Sequence, residues 1–303
     1  FTILAKDGND NFSSQEVFVK VLDIEPFQRV YSEKKEIIFL KDKDVSFDIS
    51  YTTSDNQNEL SGLGLKVHYD SSIFTPSGDN NGVTTSLNTL GVSINDDTDN
   101  LDDDTNTDKY ISISWVDFMG KFPGKDLPAT IANLNFSSSQ KGFDSLTGTS
   151  PFTSINFTSD TTSEGYDFLK STTFFKPLTF NLDVDGNGRV TGLGDGLMII
   201  RKLFGAAFAG EKLTANAITS ASTRTADEIH EYIQSGIDSN ELDVDGNGRV
   251  TGLGDGLMII RKLFGAAFAG EKLTANAITS ASTRTADEIH EYIDAMSTVD
   301  PIV

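Results

Sequence analysis

Cysteine is absent from the chain, so no disulfide can staple it and no thiolate can hold a metal. A cytosolic protein can lack cysteine, and so can an extracellular one that uses metal ions where others use disulfides. Histidine is scarce, at three residues in 303, and His230 and His290 are copies of one position. There is no His-Glu-x-x-His pair, no Gly-x-Ser-x-Gly elbow, no P-loop and no dinucleotide fingerprint, which argues against an enzyme. Carboxylate pairs abound as in any acidic protein, but no aromatic platform accompanies them. Trp115 is the only tryptophan, and its alternating context favours a core position over sugar stacking. Positive charge is also short. Against 45 Asp and Glu stand 24 Lys and Arg, a net charge of −21. Such a surface repels nucleic-acid phosphates and anionic lipid, and attracts divalent cations. No apolar run reaches the roughly 18–20 residues that span a bilayer. The longest, Leu197–Phe204, is interrupted by Arg201 and Lys202. No leader peptide is present, but the chain begins at Phe1 inside an apparent strand and reads as a fragment, so that absence carries no information.

What is there is β-pattern followed by a repeat. Residues 1–26 predict a hairpin, with Phe1–Lys6 and Gln15–Leu22 as arms and the Asp7–Ser14 stretch as the turn. It resembles the last two strands of an immunoglobulin- or cadherin-like module, with Asp23–Pro26 as linker. Residues 27–180 predict one antiparallel β-domain, a sandwich or jelly roll. Its strands include Glu36–Leu40, Val45–Tyr51, Gly62–Tyr69, Tyr110–Val116, Ala129–Ser137 and Thr153–Thr158. Within it, Asn95–Asp108 holds seven aspartates in fourteen residues. Two readings stand side by side: a solvated acidic loop, or a loop ordered by a third calcium ion across Asp96–Asp108.

Leu182–Ile233, 52 residues, recurs unchanged as Leu242–Ile293 with a period of 60. This gives repeat units at 181–240 and 241–303. Each opens with Asp-Val-Asp-Gly-Asn-Gly-Arg-Val-Thr, the spacing of an EF-type calcium loop. In the first copy Asp183, Asp185 and Asn187 fill positions 1, 3 and 5. Gly188 fills position 6, where the loop needs a positive φ. Arg189 offers its backbone carbonyl at position 7, Val190 is the apolar anchor, and Thr191 at position 9 binds directly or through water. Position 12, ordinarily a bidentate Glu, is Gly194, and a carboxylate follows one residue late at Asp195. Asp195 ligates the ion, caps the next helix, or does both. The second copy repeats the set as Asp243, Asp245, Asn247, Arg249, Thr251 and Asp255. Calcium is favoured over magnesium because an all-protein oxygen cage suits the larger ion.

Each loop runs into an apolar helix, Leu197–Phe204 in the first copy, with Gly205 as its C-cap. A second helix starts at Thr225 with a Thr-x-x-Glu capping box. His230 and His290 fall on that helix as solvated residues, away from the loops.

Two family resemblances follow from these motifs. Leu60–Phe74, Ile111–Phe118 and Ala129–Phe136 resemble the strand rhythm of cohesin-like modules. The loop with Asp195-Gly-Leu-Met-Ile-Ile-Arg-Lys-Leu-Phe-Gly205 resembles the type I dockerin repeat of bacterial secreted and surface proteins. One departure is plain: the loops lie 60 residues apart with an extra helix between them. The resemblance implies a non-catalytic, calcium-dependent interaction or attachment region of an extracellular or cell-surface protein. Its partner would be a protein or a surface glycan, with self-association between the cohesin-like and dockerin-like parts. Two alternatives are the accessory tail of a polysaccharide-degrading glycoside hydrolase whose catalytic domain lies upstream, and an adhesin or surface-layer component.

Overall fold

The computed structural model describes residues 2–6, 12–16, 25–34, 36–41, 43–139, 143, 146 and 153–298. Thr2–Lys6 and Phe12–Glu16 pair antiparallel, with Thr2 opposite Glu16 and Lys6 opposite Phe12. The hairpin is therefore present, but its second arm starts at Phe12, not Gln15. Residues 17–24, where the sequence places the rest of that arm, lie outside the described residues.

Two sheets face each other across the next segment. One runs in the order Thr89–Asp96, Lys109–Val116, Gly62–Tyr69, Thr153–Thr161, Ser171–Pro177, Glu36–Phe39. The other runs Asp167–Phe168, Phe27–Tyr31, Asp44–Thr53, Ala129–Ser138, Phe74–Pro76. Alternation explains the packing. Along Asp44–Thr53 the side chains of Val45, Phe47 and Ile49 point inward while Asp44, Ser46 and Asp48 face solvent. Aromatic rings close the space between sheets, with Phe175 at 5.3 Å from Phe47 and 5.2 Å from Phe74. Trp115 is buried in this core, as its context predicts.

The expected antiparallel sandwich is present with one correction. Glu36–Phe39 pairs parallel with Ser171–Pro177, and Asp167–Phe168 pairs parallel with Phe27–Tyr31. Both pairings join residues near the start of the sandwich to residues near its end. Such closure depends on partners over 130 residues apart, and alternation within one strand says nothing about strand direction.

A second core begins at Leu178 and ends at Met296. Four helices surround it: α1 Leu197–Leu203, α2 Ala226–Asp238, α3 Leu257–Leu263 and α4 Ala286–Met296. Thr225 and Thr285 form the predicted capping boxes with Glu228 and Glu288. The two copies bury their apolar stripes in one shared cluster that includes Met198, Ile199, Met258 and Ile259. They also exchange partners: Leu182 N–H bonds the Met296 carbonyl at 3.1 Å, and Leu242 N–H bonds the Gly236 carbonyl at 3.1 Å. Close approach needs glycine. A Cβ on Gly256 would lie 3.1 Å from both Ile200 Cγ1 and Leu203 Cδ1, and Gly196 meets Leu263 and Ile260 in the same way. The sandwich strand Glu36–Phe39 adjoins this second core through Ile38 and, just beyond the strand, Leu40. No helix among the described residues is long and apolar enough to cross a membrane.

Candidate metal centres

The structure brings Asp183, Asp185 and Asp195 together, with one carboxylate oxygen from each within 4.8 Å of the others. Asp243, Asp245 and Asp255 do the same. All six are buried, at 4%, 1% and 0% exposed in the first copy and 3%, 0% and 0% in the second. Among the described residues no Lys, Arg or His side chain forms an ion pair with any of them. Three buried carboxylates without a counter-charge repel strongly unless protons or a cation intervene.

Their titration reflects this. Burial, then the neighbouring Asp185 and Asp183, pushes the Asp195 carboxyl up to about 6 from 3.8. Asp255 is pushed up to about 6 by the same causes in its own loop. Asp185 and Asp245 are raised too, chiefly by burial and then by contact with Asp183 and Asp243.

The one-residue delay of Asp195 has a structural cause. Gly192–Gly196 is a wide turn in which Gly196 N–H reaches back five residues to the Thr191 carbonyl at 3.0 Å. That turn absorbs the extra residue and returns Asp195 to the loop. Its Oδ1 accepts from Val184 N–H at 3.0 Å, and its Oδ2 from Thr191 N–H at 2.8 Å. Capping of the turn falls to Thr191, whose Oγ1 accepts from Gly194 N–H at 3.1 Å. Asp255 and Thr251 repeat this arrangement.

The remaining positions are looser. Asn187 Nδ2 donates to Asp185 Oδ2 at 2.8 Å, and its Oδ1 accepts from Arg189 N–H at 2.9 Å. Ligation through Oδ1 would require the amide to rotate and give up both bonds. Asn247 and Arg249 are placed alike. Arg189 and Arg249 are exposed, which suits a role through the backbone alone. Thr191 and Thr251 sit at the triads' edge, each Oγ1 3.3 Å from the late aspartate. Gly188 has φ +81°, as position 6 demands. Gly186 also has a positive φ, +71°, and a Cβ there would sit 2.3 Å from Thr223 Oγ1.

That last contact belongs to a clamp the sequence does not reveal. Thr223 and Arg224 N–H groups and Ser222 Oγ all donate to the Asp185 carbonyl, at 3.0, 3.3 and 3.0 Å. Arg224 Nη1 donates to the Asp183 carbonyl at 2.7 Å while its guanidinium lies 4.1 Å from the centre of the Tyr232 ring. Ser222, Thr223 and Arg224 thus shape the loop backbone from 37–41 residues away. The only sequence signal was their exact recurrence. His230 and His290 stand apart, half-buried and bonded to the Gly210 and Gly270 carbonyls.

The acidic loop 96–108 is held differently. His68 Nδ1 contacts Asp97 Oδ2 at 2.8 Å and Asp102 Oδ1 at 4.0 Å, all buried. Asn156 Nδ2 donates to Asp102 and Asp104 at 2.9 and 3.2 Å. Lys170 pairs with Asp103 at 2.8 Å, Lys109 with Asp96, and Ser71 donates to Asp108. Protein partners thus account for six of its seven aspartates.

The donor sets of the two repeat loops fit a hard cation: carboxylates, an amide, backbone carbonyls and hydroxyls, all oxygen. No nitrogen or sulfur ligand is at hand for zinc.

No known protein family matches the sequence, and no curated relative does. Solved structures offer distant likenesses. One chain of a type I cohesin–dockerin complex from Clostridium thermocellum is 13% identical with TM-score 0.30, covering 54% of this chain and 100% of that one. A cohesin module from a Clostridium perfringens family 33 glycoside hydrolase is 9% identical with TM-score 0.30, covering 50% and 96%. A type III cohesin from the cell-surface anchoring scaffoldin of Ruminococcus flavefaciens is 11% identical with TM-score 0.29, covering 52% and 89%. At such identities and scores these resemblances assign neither kinship nor partner.

Proposed function

We propose that the chain is a non-catalytic, calcium-binding interaction and attachment region of a secreted or cell-surface modular protein. In this reading 27–180 is the docking module, and 181–240 with 241–303 form a dockerin-like, calcium-stabilised pair. The observation that carries it is the pair of buried aspartate triads, whose carboxylates form no ion pair with a cationic side chain among the described residues. Asp183, Asp185 and Asp195 would ligate one ion, with Asn187, Thr191 and the Arg189 carbonyl completing the cage. Asp243, Asp245 and Asp255 would hold the other, completed by Asn247, Thr251 and the Arg249 carbonyl. A bound calcium would supply the missing positive charge and order the loop; the chain itself supplies the oxygens and the clamp.

Calorimetric titration of the chelator-stripped full chain tests this. Two calcium ions should bind per chain, with Kd values on the order of 10⁻⁴–10⁻³ M as in other extracellular modules. Magnesium should bind more weakly, because the preformed cage leaves little room for its waters. Absence of calcium binding would remove the proposal.

A further inference from the structure

The two loops are identical in sequence, so any difference between them comes from their neighbours. Those neighbours differ. Arg284 donates through Nη1 to the Asp243 carbonyl at 2.7 Å and through Nη2 to Glu36 Oε1 at 3.0 Å. Glu36 stands on the sandwich strand Glu36–Phe39. Arg224, its counterpart, directs Nη1 to the Asp183 and Val184 carbonyls at 2.7 and 3.0 Å, and forms no ion pair among the described residues.

The entry to each loop is also held differently. Buried Glu241, two residues before Asp243, accepts from Thr179 N–H, Thr179 Oγ1 and Phe180 N–H at 2.7, 2.7 and 2.6 Å. Lys176, on the sandwich strand Ser171–Pro177, donates to the Asn240 carbonyl at 3.4 Å. At the first loop the corresponding residue is Asn181, whose N–H bonds Tyr232 Oη at 3.0 Å inside its own copy. Through Arg284 and Lys176 the second loop is therefore tied to the sandwich, whereas Arg224 at the first loop bonds carbonyls of its own copy.

We propose that the second loop is a calcium-gated latch: filling it and seating the helical unit on the sandwich are one coupled equilibrium, while the first loop binds calcium independently. The coupling centres on Asp243. Asp243 presents its carboxylate to the metal triad and its carbonyl to Arg284, and Arg284 must reach Glu36 at the same time. A loop splayed by its own charges moves that carbonyl and breaks the bridge. Conversely, a seated sandwich holds the loop in its binding shape and lowers the ordering cost of taking up the ion. Linkage requires the two effects to be equal.

The inference rests on the calcium reading of the loops, and its test separates the two. In the full chain, Asp185→Ala leaves the second loop intact and Asp245→Ala leaves the first. Calorimetry should show the second loop binding calcium roughly tenfold tighter than the first, the scale of ordinary coupling energies. Adding Glu36→Gln to Asp185→Ala should erase that gap, while adding it to Asp245→Ala should change nothing. X-ray scattering in saturating calcium should show the Asp245→Ala chain expanded and the Asp185→Ala chain compact. The scattering comparison uses the loop variants alone, so it decides the matter even if Glu36→Gln does not fold. Equal affinities, a gap that survives Glu36→Gln, or the same compactness in both loop variants overturns the latch and leaves calcium binding standing. A wild-type chain that takes up no calcium removes both.

Discussion

Chelation is expected to lower the melting temperature of the helical unit and diminish its helical circular dichroism, with the sandwich transition left in place. The sandwich has its own core, built from residues between Val30 and Phe175, separate from the cluster beside the two repeat triads. The helical unit has a smaller core, and both triads are embedded beside it, with Val184 and Val244 in the cluster flanked by Asp183, Asp185, Asp243 and Asp245. At calcium tenfold above Kd, linkage contributes about 1.4 kcal/mol per site. Two sites acting on one shared core give about 3 kcal/mol, a shift of roughly 10 °C for a domain of this size. The double variant Asp185→Asn, Asp245→Asn sharpens the expectation. It removes one charge from each triad while keeping the carbonyl oxygen that accepts Asn187 or Asn247 N–H. Its melt in chelator should be no lower than that of the wild type, and its response to calcium should vanish. A wild-type melt indifferent to chelator would contradict the account.

The second large effect is a slope that changes sign with calcium. In the folded chain Asp195 and Asp255 are held up to about 6, against 3.8 when exposed. Between those values the folded state keeps protons that the unfolded chain has released. Stability from these groups is therefore fully present below pH 4 and lost as pH rises through 6. In chelator, the helical unit should melt higher at pH 5 than at pH 7, by about 1 kcal/mol per site. With calcium saturating, protons compete with the ion for the same carboxylates, and the melt should instead be lower at pH 5 than at pH 7. Parallel slopes in the two conditions would mean that the triads are not where calcium acts.

How much of this could be read from the sequence depends on how local the physics is. The spacing of the aspartates, the positive-φ turn at Gly188 and the capping box at Thr225 are local, and each stands where the residues predict it. The fate of Asp195 was undecidable at that level, because a shift of one residue matters only through the turn that carries it. The wide turn at Gly192–Gly196 brings its carboxylate back beside Asp183 and Asp185, and nothing in Gly-Leu-Gly-Asp-Gly announces a five-residue reach. The Arg224 clamp spans about 40 residues and the Arg284–Glu36 bridge spans 248, beyond any periodicity argument. The same holds for the sandwich. Most of its strands follow from alternation, but the parallel pairing of Glu36–Phe39 with Ser171–Pro177 depends on chain closure. Identity of the two repeats hides their main difference, since one copy meets the sandwich through Arg284 and the other keeps Arg224 to itself.

The most direct measurement is a crystal of the full chain grown with calcium, with anomalous scattering recorded to locate the ion. The account predicts two peaks, each about 2.3–2.6 Å from carboxylate oxygens of Asp183, Asp185 and Asp195 or of Asp243, Asp245 and Asp255. Triads that stay closed on their own hydrogen bonds in saturating calcium, with the ion elsewhere or absent, would contradict it.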